Sequence, residues 1–257
     1  MSLIRIIGVT AHQNQEGCHF DPGTSQSKMI TETRKALDNA GFTDVLVAGM
    51  DETSLKKTAN ISEVLQMRQR LHLAELILTH IQTVAITHRL RQRHLNSAKI
   101  LWQSEVDKGG NGATLASMII EDMNGMQPSA WVMWDIVDFH KDSKFVDPTS
   151  GNKTEANNSL AYTGSVWGVG MADHDNEELV LTNKYYTYGQ FTKYINPGDT
   201  IIASSANTLA AYNKKLQAIL KFVANNGANS SDVDYVFDLS GFNTVGTNVR
   251  EIRTDMA

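Results

Sequence analysis

The chain reads as an α/β fold built on a parallel sheet, with a β-rich unit following from about residue 198. Three observations predict this. Four short apolar runs alternate with stretches of helical periodicity, a chemically useful polar residue follows each of the first three, and the composition changes after Asn196-Pro-Gly-Asp199. Strand and helix units in succession imply parallel strands joined by right-handed crossovers. The polar residues then share the C-terminal edge of the sheet, where both α/β barrels and open α/β sheets place their active sites.

Each element has a local reason. Over residues 28–40, Ile30, Leu37 and Ala40 recur at roughly helical spacing, and Gly41 supplies a C-terminal stop. Residues 43–49 form an apolar run that leads into Asp51 and Glu52, and a helical pattern covers 54–73. The second run, 74–79, ends at His80. The third, 98–103, leads to Glu105 and is followed by the clearest helix, 113–126. The fourth, 129–137, holds Trp131 and Trp134. Residues 138–161 turn polar around Asp147-Pro-Thr-Ser-Gly-Asn-Lys153 and predict a long surface loop, and 183–195 predicts an aromatic-rich helix. Beyond it, 200–203 and 233–239 look like short strands. Leu216, Ile219, Leu220 and Val223 fit a helix by spacing, but a helix there would interrupt a run of strands, so a strand is expected.

Composition narrows the function. The chain has 257 residues, 41% of them hydrophobic, enough to bury a substantial core as one large domain or two ordinary ones. With 23 basic against 28 acidic residues the net charge is −5, which offers no field for phosphates and argues against nucleic acid. Small neutral or sugar-like ligands fit better. No apolar run approaches a membrane span, and the opening Met1-Ser-Leu-Ile-Arg-Ile-Ile7 is too short for the apolar core of a secretory signal. The single cysteine, Cys18, allows no intrachain disulfide and reads as an inert small side chain.

Among the chemically useful residues, Glu105 stands out: a carboxyl after a buried strand, close to Trp102. A polar loop start is the plain alternative. Glycoside cleavage needs a pair of carboxyls, about 5–5.5 Å apart in retaining enzymes; Glu105 can supply one, and Glu16, Asp51, Glu52 and Asp135 are candidates for the other. Trp102, Trp131 and Trp134 can each stack on a sugar face or simply pack in a core, and Trp134 is the best platform because it lies nearest a strand end. His72, His80, His88 and His94 lack the spacing of a helical metal site, and no cofactor is implied; His80 is set apart by ending a strand. Gly109-Gly-Asn-Gly112 lacks the Lys-Ser/Thr of a phosphate loop and reads as a plain loop.

Five segments together carry a resemblance: Gln15-Glu-Gly-Cys-His-Phe20, Val47-Ala-Gly-Met-Asp-Glu52, Leu101-Trp-Gln-Ser-Glu105, Gln127-Pro-Ser-Ala-Trp-Val-Met-Trp134 and the run from Lys184 to Gly198. In that order they resemble the endo-β-1,6-galactanase branch of the family-thirty glycoside hydrolases. The resemblance implies a (β/α)8 TIM-type barrel with an attached β-sandwich, retaining hydrolysis of a β-linked oligo- or polysaccharide, and Glu105 as nucleophile at the end of the seventh strand. It implies Glu16, His80 and Trp134 as residues lining the sugar site. Relatives of this kind are often exported.

Aligned so, the fold expected here is the C-terminal half of the barrel, its fifth to eighth strand units over 1–197, followed by part of the sandwich over 198–257. The family's acid/base Glu belongs to an Asn-Glu-Pro motif, which the chain lacks, so weak activity on ordinary glycosides is expected. A half barrel also leaves open strand edges. Either a second chain completes it or it folds poorly. Three readings follow: a glycosidase-derived fragment with Glu105 as nucleophile, a carbohydrate-binding remnant that keeps Trp134, and one half of a split enzyme.

Overall fold

The computed structural model describes residues 3–5, 21, 24–52, 75–79, 100–106, 112–140, 168–173, 177–202, 204–205, 207–213, 219–224, 234–243 and 245–254. Its contacts divide the chain into two units. The first comprises Met1–Lys108, Met118–Ile136 and Ile201–Leu209, and the second Gly109–Ser117, Val137–Thr200 and Ala210–Ala257.

The first unit is built on five parallel strands in sequence order: β1 (Leu3–Arg5), β2 (Leu46–Glu52), β3 (Glu75–Thr79), β4 (Ile100–Val106) and β5 (Ala130–Met133). The α/β class and four of these strands agree with the sequence reading. β1 was not anticipated: a three-residue strand in Met1-Ser-Leu-Ile-Arg-Ile-Ile7 is too short to show a period of two, and only its pairing with β2 defines it. The helical pattern at 54–73 lies outside the described residues.

Helix α1 (Ser25–Asn39) starts one turn earlier than its apolar spacing predicts, because its first turn is polar; Gln26 and Ser27 are nevertheless buried there, with Ile30. Its end is set by Gly41 at φ +83°. The Phe42 amide donates to the Leu37 carbonyl at 2.8 Å and the Gly41 amide to Asp38 at 3.0 Å, the paired bonds of a Schellman cap. Arg34 then fastens the turn that leads to β2, donating to the carbonyls of Phe42 and Val45 and pairing with Asp38. A Cβ on residue 41 would meet nothing within 4 Å, so the glycine is required by its backbone angle alone. Gly41→Ala is expected to cost about 1 kcal/mol, read as a lower urea midpoint with an unchanged slope; an unchanged midpoint would show that the cap contributes nothing.

Helix α2 (Gly112–Gly125) follows β4 and leads back to β5. Leu115, Ile119, Asp122 and Met126 recur at helical spacing and are buried, as are Leu101 and Val106 of β4. Burying a side chain of this size fully contributes about 1.5–3 kcal/mol.

The strand expected over 129–137 is shorter and broken. β5 ends at Met133, a cis peptide bond joins Trp134 to Asp135, and β6 (Val137–His140) belongs to a different sheet. In the second unit β6 pairs in parallel with β7 (Gly170–Asp173), which pairs antiparallel with β8 (Glu178–Leu181). The helix expected at 183–195 is α3 (Asn183–Thr192), three residues shorter at its end.

A third sheet has the order β11–β10–β9, formed by β9 (Thr200–Ile202), β10 (Thr208–Asn213) and β11 (Ile219–Ala224). The strand reading of Ile219 to Val223 therefore holds. Residues 234–239 are not a strand, contrary to expectation. Apolar residues alone do not make one: Val236 is 92% exposed, and the Ser240 amide is drawn to the Asp238 carboxyl in a turn.

Candidate functional site

A period of two along β4 would put Leu101, Gln103 and Glu105 on the same face. Two of them are on the α2 side: Leu101 and Gln103 are completely buried, and the Gln103 amide reaches Asp122 of that helix. Strict alternation would send Glu105 to the same layer. The ladder shows otherwise. Against β5, Gln103 pairs with Trp131 but the next pair is Val106 with Met133, so two residues of β4 oppose one of β5. Against β3, Gln103 pairs with Leu78 and Glu105 with Thr79, again one extra residue on β4. Both shifts locate a bulge at Ser104–Glu105.

Exposure follows the shift. Leu101, Gln103 and Val106 are buried, whereas Trp102, Ser104 and Glu105 keep partial exposure. The bulge thus turns Glu105 to the face away from α2, one residue before the strand ends. Bulges recur beside active sites because they re-aim a side chain in this way.

The neighbouring strand brings Trp134 to the same edge. Its backbone amide donates to the Val106 carbonyl at 3.0 Å, so it sits next to the residue that follows Glu105, and the residue is 40% exposed. Asp135, one of the candidate second carboxyls, follows it and is half-buried. Asp51 and Glu52 lie in β2, two strands from β4, and their side chains are outside the described structure. Glu16, His80 and Cys18 lie outside the described residues; the strand that precedes His80 does pair with β4, through Thr79 and Glu105.

Trp131 has a different setting from Trp134. Its Nε1 donates to Asp122 Oδ2 at 2.8 Å, which ties it to the helix side. Of the three tryptophans weighed as sugar platforms, Trp131 is thereby assigned to packing. Sequence reasoning passed over Asp122 and Gln103. A signal existed: Asp122 interrupts the apolar stripe of Leu115, Ile119 and Met126, and a carboxyl on a buried helical face needs a partner. No helix among the described residues is long and apolar enough to cross a membrane.

No known family profile matches the chain. It is 26% identical over 244 residues to an endo-β-1,6-galactanase of Hypocrea rufa, covering 93% of this chain and 44% of that protein. In fold it is similar to SrfJ from Salmonella typhimurium (TM-score 0.62, 14% identity, 83% of this chain and 48% of that one). It is also similar to the catalytic domain of the GH30 xylanase C from Talaromyces cellulolyticus (TM-score 0.54, 13% identity, 79% and 44%). The chain spans less than half the length of each of these proteins.

Proposed function

We propose that this chain, galactanase-like in sequence and of the family-thirty glycoside hydrolase type, carries the nucleophile side of a retaining β-glycosidase site. Glu105 is the nucleophile, Trp134 a sugar platform, and Glu16 and His80 further contacts to the glycan. The observation that carries the reading is the bulge in β4, which turns Glu105 out of the helix layer at the C-terminal edge of a parallel sheet, where Trp134 is bonded through its amide to the next residue, Val106. On the same reading β2 to β5 are the fifth to eighth strands of a (β/α)8 barrel, β1 takes the place of the fourth, and β9 to β11 belong to the attached β-sandwich, with a second chain as the element that would complete the barrel.

The chemistry is a double displacement. A carboxylate oxygen of Glu105 attacks the anomeric carbon as the glycosidic C–O bond breaks, and the departing oxygen takes a proton or leaves as an anion. Water then attacks the anomeric carbon of the glycosyl ester, giving its proton to a base and releasing the sugar with retention and the Glu105 carboxylate. Trp134 offers an apolar ring to the C–H face of the pyranose. The substrate proposed is a β-1,6-linked galactan or a related β-glycan. Because the chain has no Asn-Glu-Pro motif, the proton for the leaving oxygen is not supplied by that motif here.

A leaving group that needs no proton tests the nucleophile separately from the acid. Incubation with dinitrophenyl deoxyfluoro-β-galactoside is expected to add one fluorogalactosyl group to the peptide holding Glu105, read by mass spectrometry, and Glu105→Gln is expected to abolish it. Labelling elsewhere, or none, sinks the assignment. Binding of a β-1,6-galacto-oligosaccharide without labelling, weakened by Trp134→Ala, would instead support a carbohydrate-binding remnant.

A further inference from the structure

The proposed chemistry leaves unused the aromatic-rich helix of the second unit. Tyr185 and Tyr186 of α3 are 48% and 52% exposed, their ring centroids 5.3 Å apart and their planes at 89°. Rings at right angles form a corner rather than a stack. Gly189 lies four and three residues further on, so it shares a face of the helix with both tyrosines.

Nothing in the helix itself explains a glycine at 189. Its φ is not positive, and glycine is disfavoured in a helix interior relative to alanine. Packing does not require it either, because a Cβ there would meet nothing within 4 Å. What glycine changes is the cover on the two rings. Side chains on a helix lean toward its N-terminus and lie over the turn before their own Cα. A longer side chain at 189 would therefore lie over Tyr185 and Tyr186, and glycine leaves that side of the corner open.

We infer that Tyr185, Tyr186 and the open backbone at Gly189 form a second glycan-binding site, a shallow shelf that takes one neutral pyranose of the β-glycan proposed above. Three features fit that ligand. A tyrosine ring offers apolar surface to the C–H face of a sugar and a hydroxyl to its rim. The shelf is uncharged, since the only charged residue of α3 is Lys184, which is 3% exposed. It is also small. A fully buried tyrosine covers about 150–250 Å², so two half-exposed ones offer about that much together, far short of the roughly 800 Å² per side of a stable protein interface. The ligand class rests on the glycosidase reading, whereas the shelf rests on α3.

Affinity electrophoresis through a gel containing soluble β-1,6-galactan tests the inference, with Glu105→Gln and Trp134→Ala combined to silence the site around Glu105. The galactan is expected to retard this silenced chain. Tyr185→Ala and Tyr186→Ala are each expected to weaken the affinity about threefold to tenfold, the range of a lost aromatic contact. Gly189→Leu is expected to weaken it as much while leaving the urea midpoint unchanged or raised, since leucine is the better helix former.

A glycine kept for structure alone predicts the opposite pair, a lower midpoint with retardation intact. No retardation of the silenced chain, or retardation that survives Gly189→Leu, overturns the inference. Self-association that Gly189→Leu abolishes while retardation is unchanged also overturns it, by making this face a protein interface. Fluorogalactosyl capture decides the nucleophile reading independently. Capture without retardation removes the shelf alone, and retardation without capture removes the nucleophile and leaves the shelf standing.

Discussion

Galactosides with leaving groups that depart as stable anions are expected to be turned over by this chain far faster than those that need a proton. A positioned general acid contributes on the order of 10²–10⁴-fold to a glycosidase. The chain contains no Asn-Glu-Pro motif to hold one in the manner its resemblance implies. A dinitrophenolate leaves unaided, so its release depends on Glu105 alone; a sugar alkoxide does not. Across aryl β-galactosides of rising leaving-group pKa, initial rates should fall steeply, with a further deficit of about 10²–10⁴-fold for a β-1,6-galactobioside relative to an enzyme with its acid in place. Added azide should quicken the second step, since an anion needs no base to be activated, and the product should be β-galactosyl azide. Glu105→Gln removes both effects. A flat dependence on leaving group would mean that another residue delivers the proton, and Asp135, next to Trp134 and half-buried, would be the first to replace.

The parts of this site that were legible in the sequence are those set by short-range patterns. An apolar run followed by a carboxyl marks the edge of a parallel sheet, and β4 does run to that edge with Glu105 near its end. Gly41 marks the end of α1, because a left-handed residue after a helix is a local requirement. What could not be read is what long-range pairing decides. Alternation by itself places Glu105 with Gln103, and the extra residue that corrects this is visible only against β3 and β5. β1 exists by virtue of its partner 43 residues away, from Leu3 to Leu46. Residues 234–239 carry strand-like side chains but have no ladder, for the converse reason.

Ile219 to Val223 shows how the two levels compete. Helical spacing and strand composition disagree within the same few residues, and the neighbouring strand β10 decides, since a ladder fixes each backbone group to a partner whereas a single helical turn would have to nucleate alone. Asp122 was legible but went unread. The rule that a buried carboxyl needs partners could have flagged it, although which partners it has depends on two strands far from it in sequence.

Removing Asp199 is expected to produce the largest loss of stability of any single substitution considered. Its side chain is fully buried, at the entry to β9, and it accepts from the Asn196 amide, from Asn213 at the end of β10 and from Lys221 in β11, whose side chain is only 13% exposed. Burial pushes the Asp199 carboxyl up, but the Asn196 amide, the Lys221 ammonium and the Asn213 amide outweigh it and hold it below its ordinary value. A depressed carboxyl contributes stability above its unfolded pKa, about 3.9, and loses that contribution as the pH falls through the folded value. At neutral pH it is fully present.

Asp199→Ala strands the Lys221 ammonium and should cost about 3–5 kcal/mol, measured as a lower urea midpoint. Asp199→Asn keeps an oxygen acceptor and loses the charge, so its deficit relative to the parent should shrink as the pH is lowered below about 3.9. Pairing Asp199→Ala with Lys221→Met should recover much of the loss, because replacing both members of a buried ion pair by neutral groups is often close to neutral. If the double variant is no more stable than Asp199→Ala alone, the hydrogen bonds to Asn196 and Asn213, rather than the charge pair, hold this corner together.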